Sequence, residues 1–177
     1  MSPIVLELLV LGLGSFLLLF EAFAEKQNRN LIAWLGIIGL VVVFLLLQFG
    51  NVSNHSGVAG YTQDAAALFF KKFVVLTTIV ILVMSLDYAD TFRAFVHGTS
   101  PQSGLGEFYS IPILTCAGMM WMASATDFIL IFVSLELVTV SFYTLVAFTR
   151  KSAASLEAGA KYLILGALST GFFVYGA

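Results

Sequence analysis

The sequence predicts an all-α protein, a polytopic transmembrane helix bundle of about six helices. Three observations carry that expectation. Hydrophobic residues fill 60% of the 177 positions and charged ones only 10%, where a soluble domain carries about 25% charged residues. Mean hydropathy is +1.01. The apolar residues also gather into six stretches, each close to the ~20 residues that cross a hydrocarbon core. A soluble enzyme, a disordered tail and a nucleic-acid binder are thereby excluded. The net charge of −2 includes no lysine/arginine run that would hold a polyanion.

The first stretch is Ile4 to Ala24. Ala22-Phe23-Ala24 matches a small-x-small cleavage site, but no Lys or Arg precedes the apolar run, and the run outlasts the ~7–15 residues of a signal core, so it is read as an uncleaved helix. Leu31 to Phe49 is the second. The Gly50 to Asp64 linker, rich in Gly, Ser and Asn, reads as a surface loop. Its Asn51-Val52-Ser53 and Asn54-His55-Ser56 tripeptides fit a glycosylation pattern too short to outweigh a polar turn. Ala65 to Leu86 is the third, with Lys71 and Lys72 near its start read as interfacial anchors. Phe108 to Ala125 is the fourth, and its Met119-Met120-Trp121-Met122 run reads as packing or lipid-facing surface. Phe128 to Phe148 and Leu156 to Ala177 complete the set. Glu7 and Glu21 fall near the two ends of the first stretch, and Asp127 at a turn where a helix amino terminus favours an acid. All three read as helix-end residues. The expected organisation is a single transmembrane domain over residues 1–177, the amino-terminal half of a longer subunit, ending within its sixth helix.

Loop charge gives an orientation. Lys26, Arg29, Arg93, Arg150 and Lys151 all fall in the loops on one side of a six-span topology, and the loops on the other side carry no Lys or Arg. Since that excess marks the cytoplasmic side, the chain is expected to be a multi-pass protein of the cell (inner) membrane with its amino terminus on the non-cytoplasmic side.

With so few charges, those inside apolar spans are informative. An ionised group at mid-span costs about 2.5–3.5 kcal/mol on insertion scales and needs a partner, water or a role. Glu136 lies deep in the fifth stretch, and Thr139 and Tyr143 follow at i+3 and i+7 on one helical face. Such a stripe would face the bundle interior or a water file. Its alternative is a buried carboxyl that only locks helices together. Lys161 enters the sixth stretch six residues after its start. It could snorkel to the headgroups or pair with Glu157 at i−4. Because a short connection makes the fifth and sixth spans antiparallel neighbours, Glu136 and Lys161 are expected to share one network whose proton position is switchable. Soluble catalytic chemistry has no constellation here. Zinc-type spacing, a P-loop and a nucleophile elbow are absent, Cys116 stands alone, and His55 and His97 occupy different loops.

Specific residues then resemble a known family. The runs Gly106-Glu107-Phe108-Tyr109, Gly118-Met119-Met120-Trp121-Met122-Ala123-Ser124-Ala125, Asp127, Phe132-Val133-Ser134-Leu135-Glu136-Leu137, Ser155-Leu156-Glu157-Ala158-Gly159-Ala160-Lys161-Tyr162 and Leu165-Gly166-Ala167 closely resemble the antiporter-like N subunit of proton-pumping NADH:quinone oxidoreductase, respiratory complex I. Phe69-Phe70-Lys71 after Asp64 resembles that family's third-helix region. The likeness is dense from about Asp64 onward and rests mostly on hydropathy before it. It implies an antiporter-like helical fold in a multisubunit membrane arm, where intramembrane charges carry protons while other subunits pass electrons from NADH to quinone. The family's fifth-helix glutamate falls on Glu136, and its sixth-helix acid and lysine on Glu157 and Lys161, the input half of the proton path. No cofactor is expected in this chain; NADH, flavin, iron–sulfur clusters and quinone belong to partner subunits. Expected partners are the other membrane-arm subunits, the lipid bilayer and protons. Family members usually have about fourteen spans in two inverted repeats, so the central and output lysines lie beyond this sequence. Two alternatives remain open: a subunit of a multisubunit cation/proton antiporter or membrane-bound hydrogenase, and a non-transporting assembly or anchor protein.

Overall fold

A computed structural model describes residues 3–23, 30–50, 60–95, 105–149 and 152–177. They form α1 (Pro3–Phe23), α2 (Asn30–Phe49), α3 (Ala65–Phe95), α4 (Leu105–Ser124), α5 (Phe128–Val146) and α6 (Ala153–Tyr175). Among the described residues the only extended pairing is an isolated antiparallel bridge between Tyr61 and Ala125. Calls on the Asn51–Ser56 tripeptides, on His55 and His97, and on Lys26, Arg29, Arg150 and Lys151 fall outside the described residues, as does the Arg93 side chain. The fold class is as the sequence predicts, all-α, and the chain is an integral multi-pass membrane protein.

Capping decides where the helices start. Asp64 Oδ1 accepts from the Ala67 amide at 2.7 Å, which opens α3. Ser152 accepts from the Ser155 amide and opens α6 at Ala153, three residues before the apolar run begins. At its other end α3 continues to Phe95 rather than stopping at Leu86. Asp87-Tyr88-Ala89-Asp90 leave the hydrocarbon composition but contain no Gly or Pro to break the helix.

The centre is occupied by a helix whose sequence is diluted by polar residues. Five of the helices are long and apolar enough to cross a membrane, and α4 is not among them. Glu107, Ser110, Pro112 and Thr115 dilute its hydropathy. Its position supplies the reason this is tolerated: α4 packs against α1, α2, α3 and α5, so neighbouring helices rather than lipid enclose it. Tyr109, Ile113, Cys116, Ala117 and Met120 are its buried residues in the core, meeting Leu6, Val10 and Leu17 of α1, Leu40 and Leu47 of α2, and Val75 and Leu82 of α3. Gly118 brings α4 and α5 together, since a Cβ there would meet Val138 Cγ2 at 2.9 Å and the Ser134 carbonyl oxygen at 3.2 Å. Small residues at such crossings let backbones approach in membranes. Phenylalanines such as Phe69, Phe70, Phe73 and Phe172 are exposed on the outer faces, as lipid contact requires.

The last helix is peripheral. α6 packs only on α5 among the described helices. Phe128 at the start of α5 stacks on Phe173 near the end of α6 at 4.8 Å, so the two form an antiparallel hairpin. The Ser155 hydroxyl closes the hairpin by donating to the Val146 carbonyl at 2.7 Å.

Candidate functional site

The buried polar centre of the described chain lies at the start of α3. Ala67, Lys71, Val75, Thr78, Leu82 and Ser85 are all buried and recur every three or four residues, which makes them the inward face of α3. Lys71 is therefore aimed at the bundle interior. Its side chain is 1% exposed and its Nζ stands 2.7 Å from Oε1 of Glu7, which is 0% exposed. This corrects the reading of Lys71 as an interfacial anchor: it follows the inward register of α3 and cannot snorkel outward. Lys72, one position on, is half-buried at the edge of the groove described below.

Two loop side chains complete the cluster. Lys71 Nζ also donates to the Tyr61 hydroxyl oxygen at 2.8 Å and to Gln63 Oε1 at 2.9 Å, so all three ammonium donors are used. The Tyr61 hydroxyl in turn donates to Glu7 Oε1 at 2.8 Å. Burial, reinforced by the Glu7 charge, pushes the Tyr61 hydroxyl well above its ordinary value, so it remains a donor. Glu7 Oε2 is buried and makes no hydrogen bond to a described residue, although Trp121 of α4 stands beside the carboxyl. Two ions taken out of water each lose several kcal/mol of hydration, which only short, complete hydrogen bonding offsets. The lysine meets that condition; the carboxylate uses one oxygen. The loop itself is held to the α4–α5 turn, with the Thr62 amide on the Ser124 carbonyl at 2.9 Å and the Thr126 amide on the Gly60 carbonyl at 2.8 Å. Gly60 makes this possible by adopting φ +78°, a left-handed conformation open to glycine.

The other helix-end acids separate by role. Glu21 Oε1 accepts from the Gly106 amide at 2.9 Å, tying the end of α1 to the start of α4. Asp127 occupies the position preceding α5 without a side-chain capping bond.

The predicted residues Glu136, Glu157 and Lys161 lie on the α5–α6 hairpin. Lys161 pairs with Glu157 at 2.5 Å, with the two side chains 69% and 66% exposed. Glu136 is half-buried in the middle of α5. The Thr139 hydroxyl bonds the Glu136 carbonyl at 3.1 Å, and Tyr143 meets Tyr162 of α6 edge-on at 5.1 Å. Gly166 leaves room for the Tyr143 hydroxyl. Tyr143 of the polar stripe thus borders α6, while Ser134 and Ser141 occupy the buried side of α5. Among the described residues no ion pair joins Glu136 to Lys161; the lysine's partner is Glu157. Among the described residues of this hairpin, no side chain presents a nucleophile with a base. What both clusters can do is hold, release or pass a proton.

These features define a class: a multi-pass helical membrane protein with ionisable groups set inside its apolar helices. Residues 125–177 match the family model described as NADH:quinone oxidoreductase/Mrp antiporter, TM. The chain is 36% identical over 99% of its length to NADH-quinone oxidoreductase subunit N of Trichlorobacter lovleyi, covering 34% of that protein. It is 36% identical over 97% of its length to the subunit N of Desulforamulus reducens, again covering 34% of that protein. It is 32% identical over 90% of its length to NAD(P)H-quinone oxidoreductase subunit 2 of Nostoc punctiforme, covering 28% of that protein. The chain is thus similar along nearly its whole length to NADH-quinone oxidoreductase N subunits, and it spans about one third of theirs.

Proposed function

We propose that this chain works as part of a proton-translocating membrane subunit of an NADH:quinone oxidoreductase in the cell membrane, its amino terminus on the non-cytoplasmic side. The observation that supports this most directly is the similarity to N subunits over 99% of this chain; in the structure Glu136 and the Glu157–Lys161 pair stand on consecutive helices, α5 and α6. In this reading the three side chains conduct protons along the α5–α6 hairpin. Partner subunits that hold NADH, flavin, iron–sulfur clusters and quinone perform the electron transfer, while other membrane-arm subunits adjoin this chain. Work must come from those partners, because moving one charge against 100 mV costs about 2.3 kcal/mol. An exposed ion pair on a peripheral apolar helix also fits a place where further helices cover it.

The test uses the full-length subunit in its complex. Glu136→Gln and Lys161→Ala are each expected to leave an assembled complex whose proton pumping in vesicles falls several-fold more than its quinone reductase activity. Intact coupled pumping in both variants would overturn the site assignment, and loss of assembly after Glu136→Gln would favour helix glue. The family model's joint description with Mrp antiporters supports a second reading, a cation/proton antiporter subunit. Neighbouring genes for antiporter subunits, in place of dehydrogenase subunits, would favour it.

A further inference from the structure

The Glu7–Lys71 cluster belongs to neither of the helices carrying the proposed path, and its surroundings give it an entrance. Between the end of α2 and the start of α3 lies a groove of about 250 Å³ whose polar lining is Gln48, Gln63, Asp64 and Lys72. Gln63 belongs to both places. It is 4% exposed, it borders the groove, and its Oε1 accepts from Lys71 Nζ. One amide side chain therefore stands between the groove and the buried ammonium.

We propose that Glu7 and Lys71 form a second proton-holding site, filled and emptied through this groove, with Gln63 as the side chain that closes it. The site is a built one. Lys71 donates to Glu7 directly, and it also donates to the Tyr61 oxygen while Tyr61 donates to the same carboxylate oxygen. A proton leaving Lys71 Nζ can pass straight to Glu7 Oε1. It can also enter the Tyr61 oxygen as the Tyr61 hydroxyl proton moves to Glu7. Either transfer converts ammonium and carboxylate into amine and carboxylic acid, leaves tyrosine unchanged and moves no net charge out of the cluster. A proton arriving from the groove then restores the ammonium beside a neutral carboxyl, so the site holds one proton more than the ion pair.

The groups that set its response are few. α1 contributes Glu7, the loop contributes Tyr61 and Asp64, and α3 contributes Lys71 and Lys72. α2 adds the uncharged Gln48, and α4 adds the uncharged Trp121 and Ser124. Asp64, exposed at the mouth of the groove, is the acid nearest to water.

Difference infrared spectroscopy of the whole chain in lipid vesicles, recorded as the pH is lowered, tests this. The expected result is a protonated-carboxyl stretching band that disappears in Glu7→Gln, persists in Glu136→Gln and moves in frequency in Glu7→Asp. Lys71→Arg, whose charge cannot be given up, should displace its midpoint to lower pH. Gln63→Ala should speed the appearance of the band several-fold after a pH jump. A band that survives Glu7→Gln, or no such band at any pH at which circular dichroism shows intact helices, would overturn the proposal. If Glu7→Gln does not fold, an unmoved band in Glu7→Asp has the same meaning. Because Glu136→Gln is the control, failure here leaves the α5–α6 path standing, and failure of that path leaves this site standing.

Discussion

Lys71 Nζ and Glu7 Oε1 meet at 2.7 Å with both side chains closed off, although α1 and α3 do not pack directly on one another among the described residues. The two side chains span the gap between helices that α2 and α4 otherwise hold together. This is the opposite arrangement to Glu157 and Lys161, neighbours on a single helix with open faces.

Removing one member of the buried pair leaves an uncompensated charge. Lys71→Met should therefore lower stability by about 3–5 kcal/mol. Adding Glu7→Gln to it should recover most of that loss, since no ion is then left without a partner. Thermal unfolding in detergent, followed through tryptophan fluorescence, measures both. A double variant as unstable as the sum of its singles would mean that the two residues do not interact.

Tyr61 gives a pH prediction with a definite sign. Its folded-state value lies above the ordinary one, so its contribution is complete below the unfolded value of about 10 and is lost as pH rises from there toward the folded value. Above about pH 10 the parent should lose stability with a slope steeper than that of Tyr61→Phe by up to about 1.4 kcal/mol per pH unit. Below that pH the two slopes should coincide. Unfolding midpoints across an alkaline pH series provide the check.

Gly118 should be intolerant of bulk. Gly118→Val places methyl groups where Val138 and the Ser134 carbonyl already stand, with an expected loss of about 1–3 kcal/mol. Val138→Ala should restore only part of it, because the backbone oxygen of Ser134 cannot be trimmed. The same melting measurement on the double variant decides this.

The sequence reveals the helices because each apolar run answers to the thickness of a bilayer. Its reach fails where a property belongs to two segments at once. Glu7 and Lys71 look like helix-end residues when each is read on its own helix, and nothing local to either reveals that α2 and α4 bring them together. A local signal for Lys71 did exist, in the spacing of Ala67, Lys71, Val75, Thr78 and Leu82, which puts the lysine on the inward face. Tyr61 and Gln63 were less legible, since loop residues carry no periodicity. The central place of α4 was hidden for a related reason: enclosure by other helices replaces the apolar surface by which a span is recognised. Glu136 stood out because a carboxylate in the middle of a long apolar run is conspicuous whatever surrounds it.

The short pairing of Gly60–Thr62 with Ser124–Thr126 has a mechanical consequence. It fastens the stopper of one polar chamber to the pivot of the helix that bears Glu136. Any tilt of α5 about its amino end would be passed through these two backbone bonds to the segment that carries Tyr61 and Gln63.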